Sequence, residues 1–493
     1  MQTNKIFERA RLSRDARFDG QFFVGVRTTG IYCRPICPAN SPKSENITFY
    51  PTAAAAGEAG YRPCLRCRPE CAPGTPAWHG TSTTVRRGLR LIANGALDDG
   101  NIEQLSERLG VTSRHLRRLF TKHLGASPLA VAHTQRLHFA KRLIDQTNLP
   151  MQEIAVASGY GSIRRFNDAF RNTYKRTPRD LRHNDRAHAD RNEYSALRVR
   201  LNYRRPFDWS QLTAFLGGRA IPGVEALVDD RYFRTVTING RVGVVEVGHN
   251  SDEYGLDLSL HGIDTANLFP VVQKVREIFD LDAPIADIGA ILGGDPGLRA
   301  RSKDNPGIRV PGAWDGFELT VRAILGQQVS VKAATTLSGR IAARYGDPVR
   351  TDLADTVPNA GLERLFPTPD KLMRARFNNI GLVGARADTI RRIAKAVVEG
   401  ELNFDSSQDP EEFCNTLVSL KGIGDWTAQY VAMRVLKNPD AFPASDLGLL
   451  RAFDRSGEDR LQPKELAAMS EAWRPWRAYA ALLLWSSSPD SGG

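Results

Sequence analysis

The chain has 493 residues and a formal net charge of +12, with 41% hydrophobic and 25% charged residues. A single core does not serve a chain of this length, so roughly two to four domains are expected. No apolar run approaches the roughly 20 residues that cross a bilayer, and Met1–Arg17 is charged without the apolar centre of a signal peptide. These features fit a soluble intracellular protein, and only six cysteines, four of them in one array, suit a reducing cytoplasm rather than a secreted disulfide framework. The charge is divided unevenly. Through Ser195 there are 31 Lys and Arg against 17 Asp and Glu, and beyond it 36 against 38. A basic first part joined to a near-neutral second part points to nucleic-acid binding by the first and different work by the second.

The first element is a cysteine array. Cys33 and Cys37, then Cys64 and Cys67, form a C-x₃-C…C-x₂-C pattern, in which each pair can chelate locally and one Zn²⁺ can join the segments. Arg34, Arg62, Arg66 and Arg68 are interleaved with these ligands, a field that attracts a phosphate backbone. A zinc-bound thiolate beside phosphate is a nucleophile beside a possible methyl donor. The array also fits a purely structural zinc knuckle. Cys71 and Cys414 read as ordinary free thiols.

Cys71–Gly80 (CAPGTPAWHG) is a Pro/Gly-rich connector. A duplication follows it. Asn101–Leu124 contains a helix, a break at Gly110 and a second helix capped by Ser113, with Leu105, Leu109, Val111, Leu116, Leu119 and Phe120 on one face. Pro150–Tyr174 repeats this, with Gly159 as the break and Ser162 as the cap. The second helix of each unit is basic: Arg114, Arg117, Arg118 and Lys122 in one, Arg164, Arg165 and Arg171 in the other. This is the pattern of helix-turn-helix units whose second helix enters the major groove of double-stranded DNA. His183–Ser195 is polar and aperiodic and reads as a linker.

Beyond the linker, Tyr232–Ile238 and Arg241–Val247 alternate around Asn239-Gly240, a type I′ hairpin signal. With Leu256–Leu260 they predict a small antiparallel sheet backed by helices at Trp209–Gly217 and Leu268–Phe279. A break near Asp282–Pro296 precedes a stretch that is helical from Trp314 onward. Within it, Leu417–Met433 places Gly422-Ile423-Gly424 between two helices. Glycines there let backbone amides approach a phosphate at a helix N-terminus with little net positive charge.

Three resemblances organise these readings. Val26–Arg34 (VRTTGIYCR) and Gly60–Pro69 (GYRPCLRCRP) look like the N-terminal domain of the Ada methylation-response proteins. That likeness implies one Zn²⁺ on Cys33, Cys37, Cys64 and Cys67, with Cys33 accepting a methyl group from a DNA methylphosphotriester. Arg34 and Arg66 are then expected to contact DNA. Removal of one negative charge on methylation would raise affinity for DNA in a salt-sensitive way. The tandem units resemble the AraC-type DNA-binding domain, which implies promoter operators and RNA polymerase as partners. The Pro-Cys-His-Arg signature of the O-alkylguanine methyltransferase domain found in many Ada proteins is absent.

The second half resembles the helix-hairpin-helix DNA glycosylases, and within them the AlkA 3-methyladenine type. Tyr203–Trp209, Pro311–Ser330, the hairpin and Trp473–Trp485 carry the likeness. It implies Asp446 as the catalytic carboxylate and Trp426, Tyr430, Trp485 and Phe215 as the pocket for a flipped, electron-poor base. Gly422 and Gly424 would grip the backbone, and Gln328 would enter the gap left by flipping. The carbonyls of Val418, Leu420 and Gly422 would hold a monovalent cation. Trp473 and Trp476 are read as core. Ser445, Leu447 and Gln328 depart from the residues common in that group, and no Lys occupies the Schiff-base position of lyase-capable relatives, where Gln429 and Tyr430 stand. A monofunctional glycosylase is expected.

The resulting expectation is a multidomain α+β chain: a small zinc-bound α/β domain (1–75), an all-α tandem helix-turn-helix (81–183), a linker (184–196), an α+β glycosylase subdomain (197–285) and an all-α helix-hairpin-helix domain (286–490). Nothing demands more than a monomer. A methylation-triggered activator with a weak or inactive glycosylase half remains the alternative.

Overall fold

The computed structural model describes residues 2–73, 83–98, 100–182, 196–350, 353, 356–357, 360–405, 408–453 and 461–486. The expected linker at 183–195 and most of the expected connector at 71–80 lie outside these residues. No helix among the described residues is long and apolar enough to cross a membrane.

The first lobe opens with α1 (Gln2–Leu12) and builds a four-stranded sheet in the order β3-β1-β2-β4, from β1 (Phe23–Val26), β2 (Ile31–Cys33), β3 (Ile47–Tyr50) and β4 (Arg62–Pro63). β2 pairs antiparallel to β1 and parallel to β4, which sets Cys33 and Cys64 at neighbouring strand ends. The short α2 (Ala53–Glu58), capped by Thr52, crosses between β3 and β4.

Both predicted helix-turn-helix units are present. α3 (Thr83–Ala93) precedes α4 (Ile102–Arg108) and α5 (Ser113–Leu124), the long α6 (Pro128–Gln146) follows, and α7 (Met151–Ala157) and α8 (Ile163–Tyr174) form the second unit. Gly110 and Gly159 take φ of +67° and +73°, the left-handed turn that frees the second helix to change direction. Leu105, Leu109, Leu116 and Phe120 are buried as expected, with Val111 and Leu119 packed at the margin. Ser162 caps α8 through the Arg165 amide, but the cap of α5 is Thr112 rather than Ser113. Thr112 has extended backbone and accepts from the His115 amide, whereas Ser113 is already the first helical residue.

The second sheet has five antiparallel strands in the order β5-β9-β8-β7-β6. β7 (Arg231–Ile238), β8 (Arg241–Asn250) and β9 (Gly255–His261) are the expected strands, and Asn239 and Gly240 both have positive φ, as a type I′ turn requires. The two edges, β5 (Leu197–Asn202) and β6 (Glu225–Val228), are additions to the sequence reading. α9 (Trp209–Gly217) and α10 (Leu268–Ile278) accompany the sheet. The expected break at 282–296 contains a helix, α11 (Ile285–Leu292), because Ile285, Ile288 and Leu292 share one face and are buried.

The helical half continues through α12 (Arg299–Asp304), α13 (Gly316–Leu325), α14 (Val331–Tyr345), α15 (Pro369–Met373), α16 (Gly384–Val398), α17 (Pro410–Ser419), α18 (Asp425–Arg434), α19 (Leu447–Arg451), α20 (Pro463–Ser470) and α21 (Arg477–Ser486). Its core runs from Ala283 to Leu484 and includes Trp473 and Trp476, as expected.

The lobes share cores. Ala54 and Ala55 of α2 lie in the cluster of the first helix-turn-helix unit. Helix α6 and the second unit share a core with the five-stranded sheet and α10: Phe139 of α6 meets Phe269 of α10 at 4.7 Å between ring centroids.

Candidate functional site

The four cysteine sulfurs lie within 4.8 Å of one another. Zn–S bonds of about 2.3 Å in a tetrahedron place sulfurs roughly 3.8 Å apart, so the donor set fits one Zn²⁺. The Arg34 amide also donates to Cys67 Sγ at 3.3 Å, the kind of outer hydrogen bond that tunes a thiolate ligand. The hydrogen bond with Cys33 lowers Cys37, to about 7, and lowers Cys64, whereas the bonds among the thiols raise Cys33 and Cys67. Four sulfurs this close hold four negative charges only around a cation.

Arg34 has partners inside the lobe. Its guanidinium pairs with Asp19 (Nε to Oδ1, 2.8 Å) and donates to the Cys67 carbonyl at 3.1 Å, so it braces the cluster from within. Asp19 is buried and its carbonyl accepts from Arg204 Nη1 of the second half at 2.7 Å. Arg66 is exposed. Tyr32, beside Cys33, bonds His138 of α6 at 2.9 Å. Cys71 stays outside the cluster; burial raises its thiol.

Arg114, Arg117 and Arg118 on α5, and Arg164 and Arg165 on α8, are all exposed. The buried faces of these helices carry Leu116, Phe120, Phe166 and Phe170. Amphipathic spacing therefore presents two basic recognition-type faces.

The third constellation converges on Asp446. It caps α19, accepting the Leu449 amide at Oδ1 (3.0 Å). Trp485 Nε1 donates to the same oxygen at 2.8 Å, and Trp426 Nε1 donates to Oδ2 at 2.7 Å. The carboxylate thus stands between two indoles, from α18 and α21. Trp426 stacks on Tyr430, with centroids 5.3 Å apart and planes 5° from parallel, and Tyr430 meets Trp485 edge-on at 6.3 Å. Phe215 joins through Arg434, whose guanidinium lies 5.1 Å from the Phe215 ring and donates to the Tyr430 hydroxyl at 2.8 Å. All four expected aromatic residues therefore gather in one connected group.

Two arginines of this group escape sequence reasoning. Arg219 lies 3.8 Å from the Phe215 ring, and Arg434 bonds Tyr430. Each stands four residues after an aromatic, the only local signal. Burial raises the Tyr430 phenol, but Arg434, Arg219 and Arg322 together outweigh it, and its pKa is lowered.

The hairpin joins α17 to α18. Gly422 has φ +102°, and a β-carbon there would fall 2.1 Å from Thr389 Oγ1 of α16, so only glycine fits. Gly424 precedes α18, has no side-chain cap and faces open space, leaving helix N-terminal amides for an anion. The Leu420 carbonyl accepts from Ile423 and that of Gly422 from Gln327, so each keeps one lone pair. Gln328 is exposed in the turn between α13 and α14, with φ +56°. Leu447, beside Asp446, is 68% exposed. Ser445 is exposed.

The fold and these sites define a class: a DNA-binding protein that couples a cysteine metal lobe and a helix-turn-helix to a helix-hairpin-helix base-excision half. Four family models match it. They are the metal binding domain of Ada over residues 7–70, a helix-turn-helix domain over 105–184, the AlkA N-terminal domain over 198–315, and the HhH-GPD superfamily of base excision DNA repair proteins over 321–478. A probable bifunctional transcriptional activator/DNA repair enzyme AlkA of Mycobacterium tuberculosis is 41% identical over 97% of this chain and 95% of its own length. DNA-3-methyladenine glycosylase 2 of Escherichia coli is 33% identical over 58% of this chain and 95% of its own. The solved 3-methyladenine DNA glycosylase from Archaeoglobus fulgidus aligns with a TM-score of 0.51 at 25% identity, covering 58% of this chain and 96% of that one. The chain belongs to the family of bifunctional transcriptional activator/DNA repair enzymes that join Ada-type and AlkA-type halves.

Proposed function

We propose that this protein serves the alkylation-damage response. Its second half is a monofunctional glycosylase that excises alkylated bases such as 3-methyladenine from duplex DNA. Its first half takes a methyl group from a DNA methylphosphotriester and activates transcription through the helix-turn-helix pair, with RNA polymerase as partner. The division into 1–75, 81–183, 197–285 and 286–490 belongs to this reading, as do a monomeric state and a monovalent cation on the Val418, Leu420 and Gly422 carbonyls.

The observation that carries the glycosylase reading is Asp446 held between Trp426 and Trp485. Excision breaks the bond between the base nitrogen and C1′, and water adds to C1′. An alkylated purine is already cationic, so it leaves as a neutral base and its departure needs no acid. What the site must supply is a negative charge beside the oxocarbenium-like sugar. Indole donors keep the carboxylate aimed, and Oδ2, with one donor, retains a lone pair to orient water. Trp426, Tyr430, Trp485 and Phe215 receive the flipped base, an electron-poor π system favoured by electron-rich faces. Gly422 and Gly424 amides hold the phosphates, and Gln328 fills the vacated stack.

At the cysteine cluster, Zn²⁺ held by Cys33, Cys37, Cys64 and Cys67 keeps sulfur deprotonated at neutral pH. Cys33 Sγ forms the S–CH₃ bond as the O–CH₃ bond of the triester breaks, and the phosphate leaves as a diester anion. Arg34 braces the cluster through Asp19 and the Cys67 carbonyl, Arg66 attracts the backbone, and Arg114, Arg117, Arg118, Arg164 and Arg165 face the grooves.

The test is release of methylated purines from alkylated duplex DNA by the purified chain and by Asp446→Asn. Release by the first and not the second supports the reading. No release by the folded, unmodified chain overturns it and leaves the methyl-triggered activator. For the first half, one methyl group on Cys33 after exposure to methylphosphotriester DNA, seen by peptide mass spectrometry, is the expected result.

A further inference from the structure

Base extrusion requires two grips on one strand at a fixed separation: one on the phosphates, one in the gap. In this fold the two grips are separate in sequence. The hairpin turn lies at 420–424 and the exposed Gln328 in the turn between α13 and α14. Gln327 connects them. Its side-chain amide nitrogen donates to the Gly422 carbonyl and to Thr427 Oγ1, each at 3.2 Å. Its own carbonyl accepts from the Arg386 guanidinium. Arg386 lies on α16, the helix whose Thr389 packs on Gly422. The hairpin, the first turn of α18, α16 and the Gln328 turn are thus tied through one residue.

The next residue is the one that needs the tie. Gln328 holds a left-handed backbone, φ +56°, which disfavours any residue with a β-carbon. Such a conformation persists only where the surroundings over-determine it. Gln328 is exposed, and its turn is closed locally by a single long backbone bond, from the Val329 amide to the Gly326 carbonyl at 3.5 Å. The three bonds made by Gln327 supply the further restraint.

We propose that Gln327 is a positioning residue for base extrusion, holding Gln328 at a set distance from the hairpin's phosphate grip. The inference rests on the glycosylase reading of the second half. As the amide of Gly422 takes a phosphate, the carbonyl of the same residue holds Gln327, and Gln328 stands ready to fill the stack. Without that bond the Gln328 turn relaxes, and a paired lesion returns to the helix before Asp446 meets its sugar.

The test uses the full chain under single-turnover conditions on duplexes with one N7-methylguanine. In one duplex the lesion is paired with cytosine; in the other it faces an abasic site, where extrusion breaks no pair. Gln327→Ala should lose roughly tenfold to thirtyfold on the paired lesion, the worth of two hydrogen bonds, and stay within about threefold of wild type on the unpaired one. In an Asp446→Asn background, 2-aminopurine beside the lesion should brighten less on binding when Gln327 is replaced. Gln327→Glu keeps the shape but cannot donate to the Gly422 carbonyl, so it should behave like the alanine variant even if the latter folds poorly. Equal activity of wild type and both variants on the paired lesion overturns the proposal. So does an equal loss on both duplexes, which marks a general structural defect. If wild type releases base from neither duplex, the glycosylase reading itself fails and takes this proposal with it.

Discussion

Trp485 donates its indole N–H to Oδ1 of Asp446 at 2.8 Å, from a helix that begins 31 residues further along the chain. Together with the Trp426 bond to Oδ2, it aims a carboxylate that would otherwise only cap α19. Trp485→Phe keeps an aromatic wall and removes one charge-assisted bond. We expect excision of alkylated purines to fall about tenfold to hundredfold, the effect of roughly 1.5–3 kcal/mol, with little change in melting temperature. A variant as fast as wild type in single-turnover assays would show that Asp446 needs no such aim.

Gly422→Ala tests the hairpin. The new methyl would meet Thr389 and the backbone would keep an unfavourable φ. A loss of about 1–3 kcal/mol is expected, read as a lower urea midpoint, with weaker binding to abasic duplex. Gly424→Ala has open space at the same turn and should leave the midpoint close to wild type.

His138 gives a pH dependence. Burial first, then the charges of Arg142 and His133 on its own helix, push its pKa down to about 3, and Tyr32 of the cysteine lobe bonds its Nε2. Glu70 of that lobe lines the same cavity of about 160 Å³. The unfolded chain binds a proton near pH 6.5 that the folded one refuses, so stability falls as pH falls below that value. Between pH 7.5 and 5.5 this costs roughly 1 kcal/mol. In His138→Gln the urea midpoint should change less across that interval than in wild type; an identical change would remove His138 as the cause.

Metal removal should act through the first lobe. The lobe's small aromatic clusters, around Phe22 and around Tyr32, are slight, so four cross-linking thiolates are a large part of its stability. Chelation is expected to expose Cys33, Cys37, Cys64 and Cys67 to thiol reagents and to lower DNA affinity, while base release by the second half persists. Protection of all four thiols after chelation would contradict this.

Several features were legible because they depend on near neighbours in the chain. Close cysteine pairs, the Gly110 and Gly159 breaks, basic second helices and the Asn239-Gly240 turn each act within a few residues. The edge strands β5 and β6 were not, since their pairing partners β9 and β7 supply the hydrogen bonds that define them. The Thr112 cap was missed by one residue because Ser113 has the same capping chemistry; only the backbone angle separates them.

The roles of individual arginines show the boundary most clearly. Sequence places Arg34 beside Cys33, but not its ion-pair partner, buried Asp19, 15 residues earlier. Arg219, Arg434 and Gln327 carried no motif. What the sequence determined by itself was the set of modules and the cysteine cluster, because chelation, helical periodicity and tight turns are local chemistry. What only the tertiary structure decided was how the modules join and which polar groups surround Asp446 and the cysteines. Phe139 meets Phe269, Arg204 reaches Asp19, and two indoles meet Asp446. Those contacts exist only when distant segments bury their apolar surface together, and no local pattern records which segments those will be.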